Sequence, residues 1–230
     1  MSEIPEFLDQ EPAPGSVGGE MSLVETWIAA FTKPNESTFA EIAAQPGAST
    51  GKAFLWVFVA SLLTSFASLI SRSVGFGNMG DLQRFLPPEI ARDIPMNVPS
   101  WFGFGTVICG TPVAALLAVI GFAIGAALIQ WVAKLFGGTG SFDKLAYTFS
   151  AIMVPYSVVV AVLTLIGMIP IVGYLTGLVS FGLLFYMLVL EVQAVKAVNG
   201  LDTGKAVGAV LIPGFAIFFF ICCCVIVALA

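Results

Sequence analysis

One stretch of the sequence, residues 145–190, contains no charged side chain. It is about 46 residues long, whereas one membrane-spanning helix needs about 20 residues. Near its middle, Pro170 stands between Gly167 and Gly173. Proline lacks a backbone donor and glycine accepts turn dihedrals. The stretch therefore predicts two spanning helices joined by a tight hairpin at residues 169–172.

The composition agrees with a membrane location. The chain is 58% hydrophobic and only 10% charged, whereas soluble domains carry about 25% charged residues. Lipid offers no hydrogen-bond partners, so a spanning chain must form helices or a closed barrel. The sequence lacks the alternating segments of about ten residues that build a barrel. We therefore predict an all-α, polytopic membrane protein: a bundle of five transmembrane helices with an N-terminal interfacial amphipathic helix.

Three regions follow from this pattern. Residues 1–20 form an acidic tail, rich in proline and glycine, for which we expect disorder because it has few apolar groups to bury. Residues 21–52 form a cytoplasmic amphipathic segment, and residues 53–230 form the transmembrane domain. The five predicted spans are residues 53–71, a second span that begins at Val113 within residues 106–133, and then residues 145–168, 171–190 and 206–230. Residues 75–110 carry charges and prolines and are expected to form a surface lid, and Glu191 is expected to mark the solvated end of span four.

The amphipathic segment begins with a recognisable helix. Leu23, Trp27 and Phe31 fall on one helical stripe. Ser22 and Glu25 have the spacing of a capping box, in which each side chain accepts from the other residue's backbone. The stripe has two interpretations: it lies in the lipid headgroup layer and anchors the first span, or it docks a protein partner.

Small residues predict close helix packing. Gly121 and Gly125 lie in span two, and Gly173 and Gly177 in span four, each pair at the spacing that lets two backbones approach. For Gly121 and Gly125, packing within the chain is one interpretation, and a seam between two copies is the other. Gly173 and Gly177 are expected to face a neighbouring helix, and the alternative is that Gly177 faces lipid.

The residue types in the sequence give little support to catalysis or cofactor binding. The chain has no histidine and four cysteines, Cys109 and the consecutive Cys222, Cys223 and Cys224. Consecutive residues lie about 100° apart around a helix, so these three cannot all face one metal ion; we expect buried thiols or acylation. The Gly-rich residues 136–142 lack the Gly-Lys-Ser/Thr ending of a phosphate-binding loop. We predict no catalytic residue, cofactor or metal, and the acidic N-terminal region argues against nucleic-acid binding.

The distribution of lysine and arginine predicts the orientation. One side of the predicted topology holds Lys33, Lys52, Lys134, Lys144, Lys196 and Lys205, and the other holds Arg72, Arg84 and Arg92. This bias places the N-terminus in the cytoplasm and the C-terminus outside.

Several short motifs resemble those of the Yip-domain family, the Ypt-interacting proteins. The similar segments, in order, are residues 34–42, residues 136–142, Tyr147, Pro155, residues 169–173, residues 198–206 and residues 211–213. The resemblance implies five helices, a cytoplasmic N-terminus and no enzymatic activity. Eukaryotic members of the family bind Rab-type GTPases in vesicle traffic, but the short tail here is more similar to prokaryotic members. No motif specific to GTPase binding is recognised.

Two functional classes remain open at this stage. The first is a non-enzymatic scaffold, a membrane-organising protein or an accessory subunit of a membrane complex, whose partners are the lipid bilayer and other membrane proteins or further copies of itself. The second is a small transporter or channel component. Transport needs polar groups that face a cavity, and the mid-span polar groups here are hydroxyls such as those of Ser61, Thr64 and Tyr156. This favours the first class.

Overall fold

The computed structural model describes residues 21–74 and 100–229, which form seven α-helices and no strand. In chain order the helices are α1 (Leu23–Thr32), α2 (Glu36–Ala44), α3 (Thr50–Val74), α4 (Ser100–Leu135), α5 (Phe142–Ile166), α6 (Pro170–Asn199) and α7 (Thr203–Leu229). The predicted disorder of residues 1–20 and the predicted lid across residues 75–99 lie outside the described residues.

Four helices are long and apolar enough to cross a membrane: residues Thr50–Ser71, Gly110–Leu135, Phe142–Ile166 and Val172–Asn199. Each overlaps one of the first four predicted spans, and the fourth extends well beyond its predicted end. The fifth predicted span falls on α7, whose described apolar part, Thr203–Ala216, is shorter. A fifth crossing therefore stays a prediction.

The outer surface of the bundle is apolar. Leu117 is 62% exposed, Leu178 70% and Phe215 67%. A soluble protein rarely exposes contiguous apolar patches larger than a few hundred Å². In a bilayer these apolar side chains would contact lipid and not water, because the bilayer core is itself apolar. The surface therefore agrees with a membrane-embedded bundle.

The uncharged stretch forms the predicted tight hairpin. α5 ends at Ile166 and α6 begins at Pro170, with Ile169 in the extended conformation before it. The two helices pack against each other. Proline at the first helical position suits this turn, because its missing N–H would have no intrahelical partner there.

Two predicted boundaries are wrong. α4 already begins at Ser100, so residues 100–110 are helical and do not belong to a loop. α6 continues past Glu191 to Asn199, where Gly200 adopts a left-handed conformation with φ 64°. A single carboxylate does not stop a helix, since glutamate is a good helix former, whereas a glycine with positive φ does.

α5 is the central helix of the bundle. It contacts α3, α4 and α6 and also the two N-terminal helices. Leu145 and Ile152 on α5 are fully buried, and so are Thr148 and Ser150. The two hydroxyls donate to carbonyls of their own helix, Thr148 to Lys144 O at 2.8 Å and Ser150 to Tyr147 O at 2.7 Å. These bonds satisfy the buried hydroxyls without partners on other helices.

Candidate functional site

The two short helices α1 and α2 cover one end of the bundle, and together we call them the cap. The capping box at the start of α1 is present as predicted. Ser22 N donates to Glu25 Oε2 at 2.8 Å, and Glu25 N donates to Ser22 Oγ at 3.3 Å. The backbone N–H of Ser22, followed by the Ser22 side chain, stabilises the carboxylate and holds the pKa of Glu25 below its usual range. The start of α1 is therefore fixed locally, before any contact with the bundle.

α2 is anchored on α5 and α6. Its N-terminus is capped by Asn35, whose Oδ1 accepts from Thr38 N at 2.8 Å. Phe39 and Ile42 are completely buried. Glu36 forms a salt bridge with Lys196 of α6 at 2.9 Å. A partly exposed pair contributes at most about 1 kcal/mol, so burial of the two apolar side chains is the larger stabilising contribution.

Aromatic contacts fasten α1 to two different spanning helices. Trp27 meets Trp56 of α3 edge to face with ring centroids 5.4 Å apart, and Trp56 lies 4.9 Å from the ring of Tyr147 on α5. Phe31 meets Tyr186 of α6 edge to face at 5.4 Å. The Tyr186 hydroxyl also donates to Phe31 O at 2.5 Å. α1 thus lies against α5, with one side chain reaching α3 and another reaching α6.

A buried polar chain reinforces this docking. Gln45, directly after α2, donates through Nε2 to Thr26 Oγ1 at 3.1 Å and accepts at Oε1 from the Tyr147 hydroxyl at 3.1 Å. Thr50 at the start of α3 also donates to Asp143 at the start of α5. The cap is therefore joined to the bundle by apolar, aromatic and polar contacts together.

The predicted apolar stripe of α1 divides between two faces. Of its three residues, Trp27 and Phe31 turn towards the bundle and are partly buried, whereas Leu23 remains 45% exposed. The outward apolar face consists of Leu23, Val24 and Ile28, the latter two 57% and 56% exposed. We call these three residues the outer face of α1.

A second cluster closes the same end of the bundle. The side chain of Gln130 on α4 donates to Gly140 O at 2.7 Å and to Asn199 Oδ1 at 3.0 Å. Asn199 Nδ2 donates back to Gln130 Oε1 at 3.3 Å, and Thr139 N donates to Asn199 O at 3.2 Å. The Gly-rich segment between α4 and α5 is thus clamped onto the end of α6 and serves as a structural turn. The side chains of Asn199 and Gln130 are almost fully buried.

The four glycines predicted to pack helices have different surroundings. A Cβ placed at Gly121, Gly125 or Gly177 would meet no atom within 4 Å, whereas one at Gly173 would lie 3.0 Å from Gly167 O. No close helix contact is therefore formed at Gly121, Gly125 or Gly177. A packing role for them stays a prediction.

No group of three or more acidic, cysteine or histidine side chains suited to a metal ion occurs within residues 21–74 and 100–229. In the same part of the chain, Cys223 is an exposed free thiol.

The residues that hold the cap were mostly missed by sequence reasoning. Gln45, Tyr186 and the Glu36–Lys196 pair join elements far apart in the chain, and no local spacing connects them. Tyr147 was noticed only through the family resemblance. Gln130 is buried, and no motif in the sequence connects it with Asn199.

The capped bundle of long apolar helices defines a multi-pass helical membrane protein. The model of one family, described as the Yip1 domain, matches residues 28–225. The chain belongs to the Yip1 domain family, as the motif resemblance implied. No curated protein and no solved structure matches the chain.

Proposed function

We propose that this protein is a non-enzymatic membrane-organising scaffold or accessory subunit, and that the outer face of α1 is its docking surface for another membrane protein. The observation that carries the proposal is the division of α1 between two faces. Trp27 and Phe31 lock the helix onto α3 and α6, while Leu23, Val24 and Ile28 remain exposed. A rigid apolar surface of this kind loses little conformational entropy when a partner binds.

Site-specific photo-crosslinking in native membranes tests this proposal. A photoreactive residue at Val24 or Ile28 is expected to give a discrete adduct with a protein. The matched control is Ala40, which is also exposed but lies on α2 and therefore outside the outer face of α1, and which is expected to give no such adduct. Adducts with lipid alone at all three positions would show that the helix rests in the headgroup layer and docks no protein.

We also propose that the cap lies in the cytoplasm. Lys33 lies beside the cap, and the ends of the helices next to the cap hold Lys52, Lys134, Lys144, Lys196 and Lys205. Arg72 lies near the opposite end of α3. This asymmetry supports the proposed orientation, since lysine and arginine concentrate on the cytoplasmic side.

Cysteine accessibility tests the orientation in a variant whose native cysteines are replaced. A cysteine at Ser37 in the cap is expected to react only from the cytoplasmic side. A cysteine at Met168, in the short connection between α5 and α6, is expected to react only from outside. The reverse pattern would overturn the orientation and leave the fold untouched.

A further inference from the structure

A cavity of about 270 Å³ lies between α4, α5 and α6. Its lining is almost entirely apolar and includes Phe122, Gly125, Phe149 and Met187. The exceptions are the phenol of Tyr156 and the carboxyl group of Glu191. The cavity is therefore a partly open, largely hydrophobic cleft with one acidic side chain, and small-molecule sites likewise combine apolar walls with a few polar groups.

Glu191 lies within the spanning part of α6. It precedes Asn199, at the capped end of the helix, by about 12 Å, given a rise of 1.5 Å per residue. Its side chain is half-buried. No hydrogen bond or ion pair to Glu191 occurs within residues 21–74 and 100–229. An ionised carboxylate is costly in such surroundings unless a counter-charge accompanies it.

The lining residues indicate which counter-charge fits. The described residues that line the cavity include no lysine or arginine, so among them a cationic ligand would meet no competing side chain. Phe122, Phe149 and Tyr156 supply aromatic rings, whose faces attract ammonium groups. Apolar walls and two methionines, Met153 and Met187, accommodate an alkyl chain, since methionine fills irregular spaces.

We propose that this cavity binds an organic ammonium ion carried on an apolar chain, with Glu191 as the residue that recognises its charge. Two kinds of molecule carry such an ammonium group: a free alkylamine, and a lipid with an amine in its headgroup. A lipid phosphate would place a second negative charge close to Glu191. The structure therefore favours the free amine. This site is independent of the outer face of α1, so either proposal can fail without the other.

The test measures thermal stabilisation of the purified full-length protein in dodecylmaltoside. A ligand that binds the folded state raises the unfolding temperature. Titration with decylammonium is expected to give a larger shift than titration with decanol, which has the same chain length and no charge. In Glu191→Gln the apparent affinity for decylammonium is expected to fall about tenfold or more, as a lost charged hydrogen bond implies. The response to decanol should stay unchanged.

Two glycine variants separate the cavity from general effects of the detergent. Gly125 and Gly121 lie one turn apart on α4, and a Cβ at either position meets nothing within 4 Å. Only Gly125 lines the cavity. Gly125→Leu is therefore expected to fill it and abolish the response to decylammonium, whereas Gly121→Leu should respond as the parent does.

Two results would overturn the proposal. Equal decylammonium affinity in Glu191→Gln and the parent would overturn the role of Glu191, and an equal response of the two leucine variants would overturn the cavity as the site. The choice between a free alkylamine and an amine-bearing lipid as the ligand is tested in nanodiscs of phosphatidylglycerol. Added phosphatidylethanolamine should not displace decylammonium, and displacement would overturn the assignment to a free amine.

Discussion

Gln130 and Asn199 exchange two hydrogen bonds between their side-chain amides, at 3.0 and 3.3 Å, although 69 positions separate them in the sequence. Asn199 also donates to Val195 O, and Gln130 to Gly140 O. Each side-chain amide is nearly fully buried, so each depends on the other for hydrogen-bond partners. The pair joins the end of α4 to the end of α6 and holds the turn between α4 and α5.

Removal of either of these side-chain amides should therefore destabilise the folded protein. We expect Gln130→Leu to lower the free energy of unfolding by about 1–3 kcal/mol, since it leaves the Asn199 side chain and the Gly140 carbonyl short of partners. The matched control is Gln193→Leu, because the half-buried Gln193 makes no hydrogen bond within the described residues. Chemical denaturation in detergent measures both variants. Equal stability of the two would show that the amide pair contributes nothing.

Gly140 is one of the positions in the turn next to this pair that require glycine. A Cβ at Gly140 would lie 2.5 Å from Val198 O and 2.8 Å from Asn199 Oδ1. The first of these atoms is backbone and cannot move aside cheaply, so we expect Gly140→Ala to cost about 1–3 kcal/mol of overpacking.

Gly121→Ala is the control for this substitution, since a Cβ at Gly121 meets nothing within 4 Å. Alanine is the better helix former by about 1 kcal/mol in an exposed helix, so this variant should be neutral or slightly stabilised. Thermal unfolding in dodecylmaltoside compares the two. A stable Gly140→Ala protein would show that the loop packs differently from the structure described here.

Acid should loosen the start of α1. The pKa of Glu25 is lowered by its bonds with Ser22, so its ionised form stabilises the folded segment. That contribution is present above the pKa of the unfolded state and is lost as the pH falls through the lowered folded-state pKa. The protection of residues 22–32 against hydrogen exchange, taken relative to the intrinsic exchange rate at each pH, is therefore expected to fall on acidification. In Glu25→Gln this protection should be lower at neutral pH and should change less with acid, and an unchanged acid response in this variant would exclude Glu25 as its source.

Local patterns in the sequence predicted much of the fold. The uncharged stretch and its central proline indicated the α5–α6 hairpin, and the Ser22–Glu25 spacing indicated the capping box. Both are properties of neighbouring residues. The predicted end of α6 is wrong because it rests on the charge of Glu191, whereas the turn at Gly200 ends the helix.

The candidate site was less accessible to sequence reasoning, for a physical reason. A helical stripe shows which residues share a face, but it does not show whether that face meets protein, lipid or a partner. Trp27 and Phe31 face Trp56 and Tyr186, and only the tertiary structure supplies these partners. The cavity beside Glu191 is likewise formed by residues of three helices, so no single segment of the sequence indicates it.

Gly177 provides the last prediction, because it distinguishes packing within the chain from packing between chains. It is exposed, and a Cβ there would meet nothing within 4 Å. We expect Gly177→Leu to leave the unfolding temperature of the monomer unchanged in detergent. Gly173→Leu is the matched comparison. Its Cβ would lie 3.0 Å from the backbone oxygen of Gly167, so this variant should lose about 1–3 kcal/mol.

The same two variants test a seam between copies of the protein. In native membranes, helix association depends on close packing and not on water exclusion. If Gly177 forms such a seam, Gly177→Leu should reduce the fraction of crosslinked dimer while the monomer stays as stable as the parent. A dimer fraction equal to that of the parent would instead show that Gly177 faces lipid, where leucine fits without strain.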